Sequence, residues 1–170
     1  MYNKNQLNSI KFIQIQSGAD IVDKYESIKL NNQLCFSLYA LSREIIKKYK
    51  PLLDKHNLTY TQYIAMLVMW EKEKILFKEL GKRLHLDSGT LTPVLKKLEA
   101  MELIIKYRNK EDDRVVTVEL TEKGRLLKDE VTHIPVDMYN MCKSESVDLL
   151  NLKQEIDELL NTLSLKLGLN

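Results

Sequence analysis

Between residues 88 and 114 the chain concentrates side chains that can meet a nucleic acid. Ser88, Thr90 and Thr92 offer small hydroxyls, and Lys96 and Lys97 follow them at helical spacing. Base edges and phosphates take hydrogen bonds from such donors, so the pattern suits a helix laid in a major groove. Lys106, Arg108, Lys110 and Arg114 then put positive charge on a short segment whose polar centre, Asn109 to Asp113, includes Asp112. An arginine at such a tip can enter a narrow minor groove, where the potential is most negative. The candidate DNA-contacting residues are therefore Ser88, Thr90, Thr92, Lys96, Lys97, Arg108, Lys110, Asp112 and Arg114.

Cys35 and Cys142 are the second source of chemistry. A free thiol titrates near pH 8.5, so about 3% is thiolate at pH 7, and the thiolate is the nucleophile. Tyr39 follows Cys35 by one helical turn, and Tyr49 and Tyr60 are the next tyrosines along the chain. A neutral hydroxyl donor favours the charged form of its partner. The competing reading is an inert cysteine packed beside Leu34 and Leu38, the usual fate of a lone core thiol. His56, His85 and His133 make no ligand spacing with cysteine or carboxylate, so neither a metal nor another cofactor is expected. No Cys-x-x-Cys and no Ser/His/Asp arrangement is found, which argues against an enzyme.

These groups need a scaffold, and the apolar periodicity supplies one. Phe77, Leu80 and Leu84 mark a helix; His85, Leu86 and Asp87 make a turn. Asp87 or Ser88 caps a second helix to about Glu102, with Leu91, Leu95, Leu98 and Met101 inward and Pro93 near its first turn. Ile104 and Ile105 open a strand reaching Arg108; after the polar turn, Arg114 opens a return strand in which Val116, Val118 and Leu120 alternate with Thr117 and Glu119. Helix, turn, helix and charged hairpin in this order make a winged helix. Upstream, Leu30, Leu34, Leu38, Leu41 and Ile45 predict a helix from Ser27 to Tyr49–Lys50, with Pro51 starting a short helical stretch to Asn57. In that helix Cys35 lies two turns in, beyond most of the helix dipole. Thr59 and Gln62 predict a capping box with Leu58 and Tyr63 as its staple, opening a helix with Ile64, Leu67, Val68 and Trp70. Downstream, Thr121 caps a helix to Thr132, Pro135 kinks or breaks it, and Ser144 or Ser146 restarts a helix to about Leu167.

The fold class expected is mainly α with a small β-wing, a winged helix-turn-helix in a helical, two-fold symmetric dimer. Residues 1–26 read as an extension, partly disordered or a short helix. Residues 27–57 and 121–167 form the helical dimerisation region, and 58–120 the DNA-binding lobe. The first and last helices carry leucine stripes that a winged helix does not use, and a second copy of the chain would cover them. The 170 residues carry a net charge of only +2, so local charge matters more than the total. No apolar run approaches the roughly 20 residues of a membrane span. No leader with a small-residue cleavage site follows the first residues, so the compartment expected is the reducing cytoplasm, where a permanent disulfide is not the default.

On particular blocks the sequence resembles the MarR family of winged-helix regulators, most densely its organic-hydroperoxide-sensing OhrR branch. The blocks are residues 33–54 (Gln-Leu-Cys-Phe through Pro-Leu-Leu-Asp), 59–70, 86–99 (Leu-Asp-Ser-Gly-Thr-Leu-Thr-Pro onward) and 112–124 (Asp-Asp-Arg through Leu-Thr-Glu-Lys-Gly). The resemblance implies a redox-sensing repressor that binds inverted-repeat promoter DNA as a homodimer and is released by peroxide. It implies that Cys35 is the reactive thiol, that Tyr39, Tyr49 and Tyr60 hydrogen-bond it, partly across the dimer, and that Cys142 suits the type in which a second cysteine resolves the oxidised first. Three rival readings fit the same residues. A MarR-like regulator could respond to a phenolic ligand held by Tyr39, Tyr49, Tyr60 and Trp70. Cys35 could serve a thiol peroxidase. The long helices could make a plain protein-interaction module.

Overall fold

The computed structural model of the chain describes residues 25–109, 112 and 114–166. Residues 1–24 of the extension, Lys110 in the wing and Leu167 at the end of the leucine stripe lie outside them. The chain divides into two compact units between Lys47 and Lys48.

The first unit opens with two 3-10 turns, Glu26–Ile28 and Leu30–Asn32, and continues into helix α1, Leu34–Leu53. This helix starts seven residues later than its periodicity predicts. The cause is local. Asn31 and Asn32 are poor helix formers, and the Gln33 amide donates to the carbonyls of Ser27 at 2.6 Å and Lys29 at 3.2 Å, groups that a continuous helix would have used itself. Cys35 thereby becomes the second helical residue, not one two turns in. Pro51 does not stop α1 either. It lies inside the last turn, where buried Leu52 and Leu53 hold the backbone helical, and the chain turns off only at the 3-10 segment Asp54–His56 and left-handed Asn57.

After Asn57 the anticipated capping box forms. Gln62 N–H donates to Thr59 Oγ1 at 3.3 Å, and Thr59 N–H donates to Gln62 Oε1 at 2.7 Å, opening α2, Tyr60–Lys72. Ala65, Met66 and Met69 are fully buried in this helix and Tyr63 nearly so, while Leu67 is 38% exposed. Strand β1, Lys74–Leu76, was not foreseen, since three residues are too short to show alternation. Then come α3, Phe77–Leu84, a turn through left-handed His85, and α4, Ser88–Ala100. Strands β2, Ile104–Arg108, and β3, Val116–Leu120, complete an antiparallel sheet in the order β1-β3-β2, with Val118 opposite both Ile75 and Lys106.

After the sheet, Thr121 caps α5, Glu122–Glu130, by accepting from Gly124 N–H at 3.0 Å. Pro135 starts α6, Ile134–Cys142, because a first-turn residue needs no N–H partner. Asp148 caps α7, Leu149–Lys166, accepting from Leu150 N–H at 2.9 Å and Asn151 N–H at 3.2 Å. Neither Ser144 nor Ser146 does so; their hydroxyls bond to each other at 2.9 Å. Leu80, Leu91, Leu95, Leu98, Ile104 and Val118 make the core of the winged helix. Trp70 ties α2 to α5, its indole N–H donating to the buried Gly124 carbonyl at 2.8 Å. A Cβ at Gly124 would stand 2.2 Å from the Leu103 carbonyl oxygen, so only glycine fits there.

Candidate DNA-binding face and thiol–tyrosine site

Helix α4 is held on the core by Leu91, Leu95 and Leu98, which leaves Ser88, Thr90, Thr92, Lys96 and Lys97 exposed. Its N-cap is Asp87 and not Ser88: Asp87 Oδ1 accepts from Thr90 N–H at 2.8 Å and Oδ2 from the Thr90 hydroxyl at 3.1 Å. These bonds, the backbone one first, hold the Asp87 carboxyl below its ordinary range. Thr92 donates its hydroxyl to the Ser88 carbonyl at 2.7 Å.

The wing is braced at its base. Lys106 pairs with Glu99 of α4 at 3.0 Å, and Tyr107 donates to Glu119 at 2.6 Å. Lys74 lies 5.4 Å from the centre of the Tyr107 ring. The Tyr107 hydroxyl, and then Lys74, hold the Glu119 carboxyl below its ordinary value. Between α4 and the wing lies a cleft of about 490 Å³ into which Thr92, Glu99, Lys106 and Arg108 face. At the tip, Asp112 accepts from Arg114 N–H at 2.9 Å through its carboxylate and from Val115 N–H at 3.0 Å through its carbonyl. Asp112, grouped by sequence with the DNA contacts, thus builds the turn that presents exposed Arg114.

Cys35 and Cys142 are both free thiols, the first exposed and the second half-buried. Cys35 sits in the first turn of α1, the end of a helix that attracts negative charge. Tyr39, one turn on and 56% exposed, accepts a hydrogen bond from Arg43 at 2.9 Å. With a lone pair used by the guanidinium, the Tyr39 proton is left to donate. Sequence reading passed over Arg43, although its i+4 spacing from Tyr39 was a usable signal.

The second unit gathers Tyr49, Tyr60 and, unanticipated in this role, Tyr63. Ring centres lie 4.9 Å apart for Tyr49 and Tyr60 and 5.8 Å for Tyr49 and Tyr63. Burial, then the neighbouring Tyr60, Tyr63 and Cys142, push the Tyr49 hydroxyl up to about 12. Burial likewise raises Tyr60. The Tyr49 hydroxyl therefore keeps its proton beyond the ordinary tyrosine range, and the negative charge of an ionised Cys142 is the smallest of the four causes. A separate cleft of about 290 Å³ is lined by Tyr63, Trp70, Lys128 and Pro135 among others, but not by Tyr49 or Tyr60. No cluster able to hold a metal ion is found among the described residues.

A capped recognition helix, a braced basic wing and a tyrosine–thiol cluster on one winged-helix scaffold define a DNA-binding transcription regulator. Residues 47–131 match the family described as Transcriptional regulator SarA/Rot. The Organic hydroperoxide resistance transcriptional regulator of Bacillus subtilis (strain 168) is 50% identical over 144 residues, 85% of this chain and 98% of that protein. Among solved structures, reduced AbfR bound to DNA, from Staphylococcus epidermidis, is 30% identical, with a TM-score of 0.69 over 85% of this chain and 98% of that one. The disulfide-formed state of AbfR is 32% identical over 81% of this chain and 96% of that one, with a TM-score of 0.56. The chain belongs to the MarR-like, SarA/Rot-type family of winged-helix transcription regulators.

Proposed function

We propose that the chain is a peroxide-sensing transcriptional repressor that binds an inverted-repeat promoter site as a homodimer and leaves it when Cys35 is oxidised. The observation that carries this reading is the packed pair of Tyr49 and Tyr60, with ring centres 4.9 Å apart, near enough to Cys142 for an ionised thiol to act on Tyr49. Partner coverage follows from the apolar surface of the helices. Leu34, Leu41, Leu159 and Leu163 are all exposed on the single chain, and a two-fold partner would cover them while bringing Cys35 to the partner's tyrosines. On this reading residues 27–57 and 121–167 form the dimerisation region, and 58–120 the DNA-binding lobe.

The chemistry is stoichiometric. The Cys35 thiolate attacks the terminal oxygen of a hydroperoxide, the O–O bond breaks, and a proton completes the alcohol, leaving a sulfenic acid. The Cys142 thiol of the partner subunit then displaces water from that sulfur and forms a disulfide. The likeness to a regulator solved in a disulfide-formed state supports the pairing. The protein works as a cytoplasmic switch, not an enzyme, and no helix among the described residues is long and apolar enough to cross a membrane.

The test treats wild type, Cys35→Ser and Cys142→Ser with one equivalent of an organic hydroperoxide. Operator binding and non-reducing gel mobility are read together. Wild type should become a covalent dimer and release DNA, Cys35→Ser should do neither, and Cys142→Ser should not cross-link. Release that survives in Cys35→Ser would sink the sensor and favour a phenolic ligand in the cleft lined by Tyr63 and Trp70.

A further inference from the structure

A threonine hydroxyl carries one proton and two lone pairs, and on α4 both protons are already committed. Thr90 Oγ1 lies 3.1 Å from Asp87 Oδ2, and an ionised carboxylate can only accept. The other oxygen of that carboxylate takes Thr90 N–H at 2.8 Å, which locks it at the N-cap. Thr92 Oγ1 lies 2.7 Å from the Ser88 carbonyl, again a group that can only accept. Both threonines are exposed, so what they turn outward is lone pairs and methyl groups. Helical spacing puts Gly89 and Pro93 between them on the face opposite Leu91 and Leu95, and neither has a side-chain donor. The lysines that do donate, Lys96 and Lys97, come a turn later.

We propose that Thr90 and Thr92 read exocyclic amino groups in the major groove, N6 of adenine or N4 of cytosine, and select against the guanine O6 and thymine O4 carbonyls. This rests on α4 being the groove-reading helix. It reverses the donor role that the sequence suggests for these two residues. To meet a carbonyl, either threonine must surrender its inward bond, a loss equivalent to about two- to tenfold in affinity.

The probe is a duplex that the full-length reduced protein selects from a random library. Adenines are replaced one at a time by purine and cytosines by pyrimidin-2-one, which deletes single amino groups. In parallel, guanines become 2-aminopurine and thymines 5-methylpyrimidin-2-one, which deletes single carbonyls. Wild type should lose about two- to tenfold on deletion of at least one amino group per half-site. Thr90→Val or Thr92→Val should become insensitive to that same deletion, and Thr90→Ser should remain sensitive. The analogue that matters tells adenine from cytosine. Coupling of the valine variants to a carbonyl deletion, or to no deletion, overturns the assignment while leaving DNA binding intact. Failure to select any duplex removes the DNA-binding reading, and this inference with it.

Discussion

Trp70→Phe isolates the bond that joins the DNA-binding lobe to α5. The indole N–H meets the Gly124 carbonyl at 2.8 Å in a buried position, and the ring itself stands edge-on to Tyr63 with centres 6.3 Å apart. Phenylalanine keeps most of the ring packing but offers no donor. The Gly124 carbonyl is then left without its partner, which costs about 1–3 kcal/mol. The lost ring atoms leave a small void worth about 1 kcal/mol. A total near 3 kcal/mol should lower the melting temperature by about 6–12 °C in a chain of this size. The assay is thermal melting at fixed protomer concentration, because association shifts the midpoint by mass action. Operator affinity at 25 °C, measured on the folded fraction, should change little, because Trp70 touches neither α4 nor the wing tip by hydrogen bond. A midpoint within about 2 °C of wild type would show that the carbonyl finds another donor and that this bond does not make the joint rigid. Gly124→Ala should be worse, since its Cβ would press on the Leu103 carbonyl oxygen at 2.2 Å and on Leu120 Cδ1 at 2.8 Å.

Arg114→Ala should weaken operator binding and reduce the slope of log affinity against log salt by about 2 per dimer, one phosphate for each wing; an unchanged slope would take Arg114 off the DNA. The Tyr49 hydroxyl is raised to about 12 in the fold against about 10 unfolded, so the stability it contributes is complete below pH ~10 and lost as pH climbs through ~12. Phenolate absorbance should accordingly show a late-titrating step that Tyr49→Phe removes; identical curves for the two proteins would refute the assignment. The depressed Asp87 carboxyl gives the opposite sign, with its cap intact above pH ~4 and lost as pH falls through the lower folded value. The protection of the Thr90 amide, relative to its intrinsic exchange rate at the same pH, should therefore fall on acidification, and in Asp87→Ala it should be low at every pH.

Long amphipathic segments and capping residues were legible in the sequence because each encodes its own local energy. Asp87, Thr59 with Gln62, and Thr121 all cap where their side chains predict. The wing strands follow the alternation of Val116, Val118 and Leu120. What escaped depends on groups distant in sequence or on competition between neighbours. Strand β1 exists because Val118 and Glu119 pair with Ile75 and Lys74 from more than forty residues away. The start of α1 was set by the Gln33 amide reaching back to two carbonyls, a contest that leucine spacing does not register, and that contest moved Cys35 into the first turn. Pro135 shows the same limit: its position within a helix, not its presence, decides whether it breaks or begins one. Among the site residues, the hydroxyls of Thr90 and Thr92 were visible as polar, but the direction of their protons was not.

The joint between the wing and α5 constrains how oxidation could reach the DNA. Strand β3 ends at Leu120 and α5 begins at Glu122, with Thr121 alone between them. The Thr121 hydroxyl donates to the Glu102 carbonyl at 2.6 Å while accepting from Gly124 N–H, and its own N–H donates to the Leu103 carbonyl at 3.1 Å. With Trp70 bonded to Gly124 from the other side, α2, the wing base and α5 have no slack residue at which to bend. On the proposed reading, a rearrangement at the thiols would turn each DNA-binding lobe as a body, changing the spacing of the two α4 helices and leaving each lobe's groove-reading surface intact. A coupling of about 3 kcal/mol would suffice, since that lowers affinity more than a hundredfold. On this argument the oxidised protein keeps its affinity for a single half-site and loses only the two-site operator, a contrast that a half-site duplex measured beside the full operator would expose.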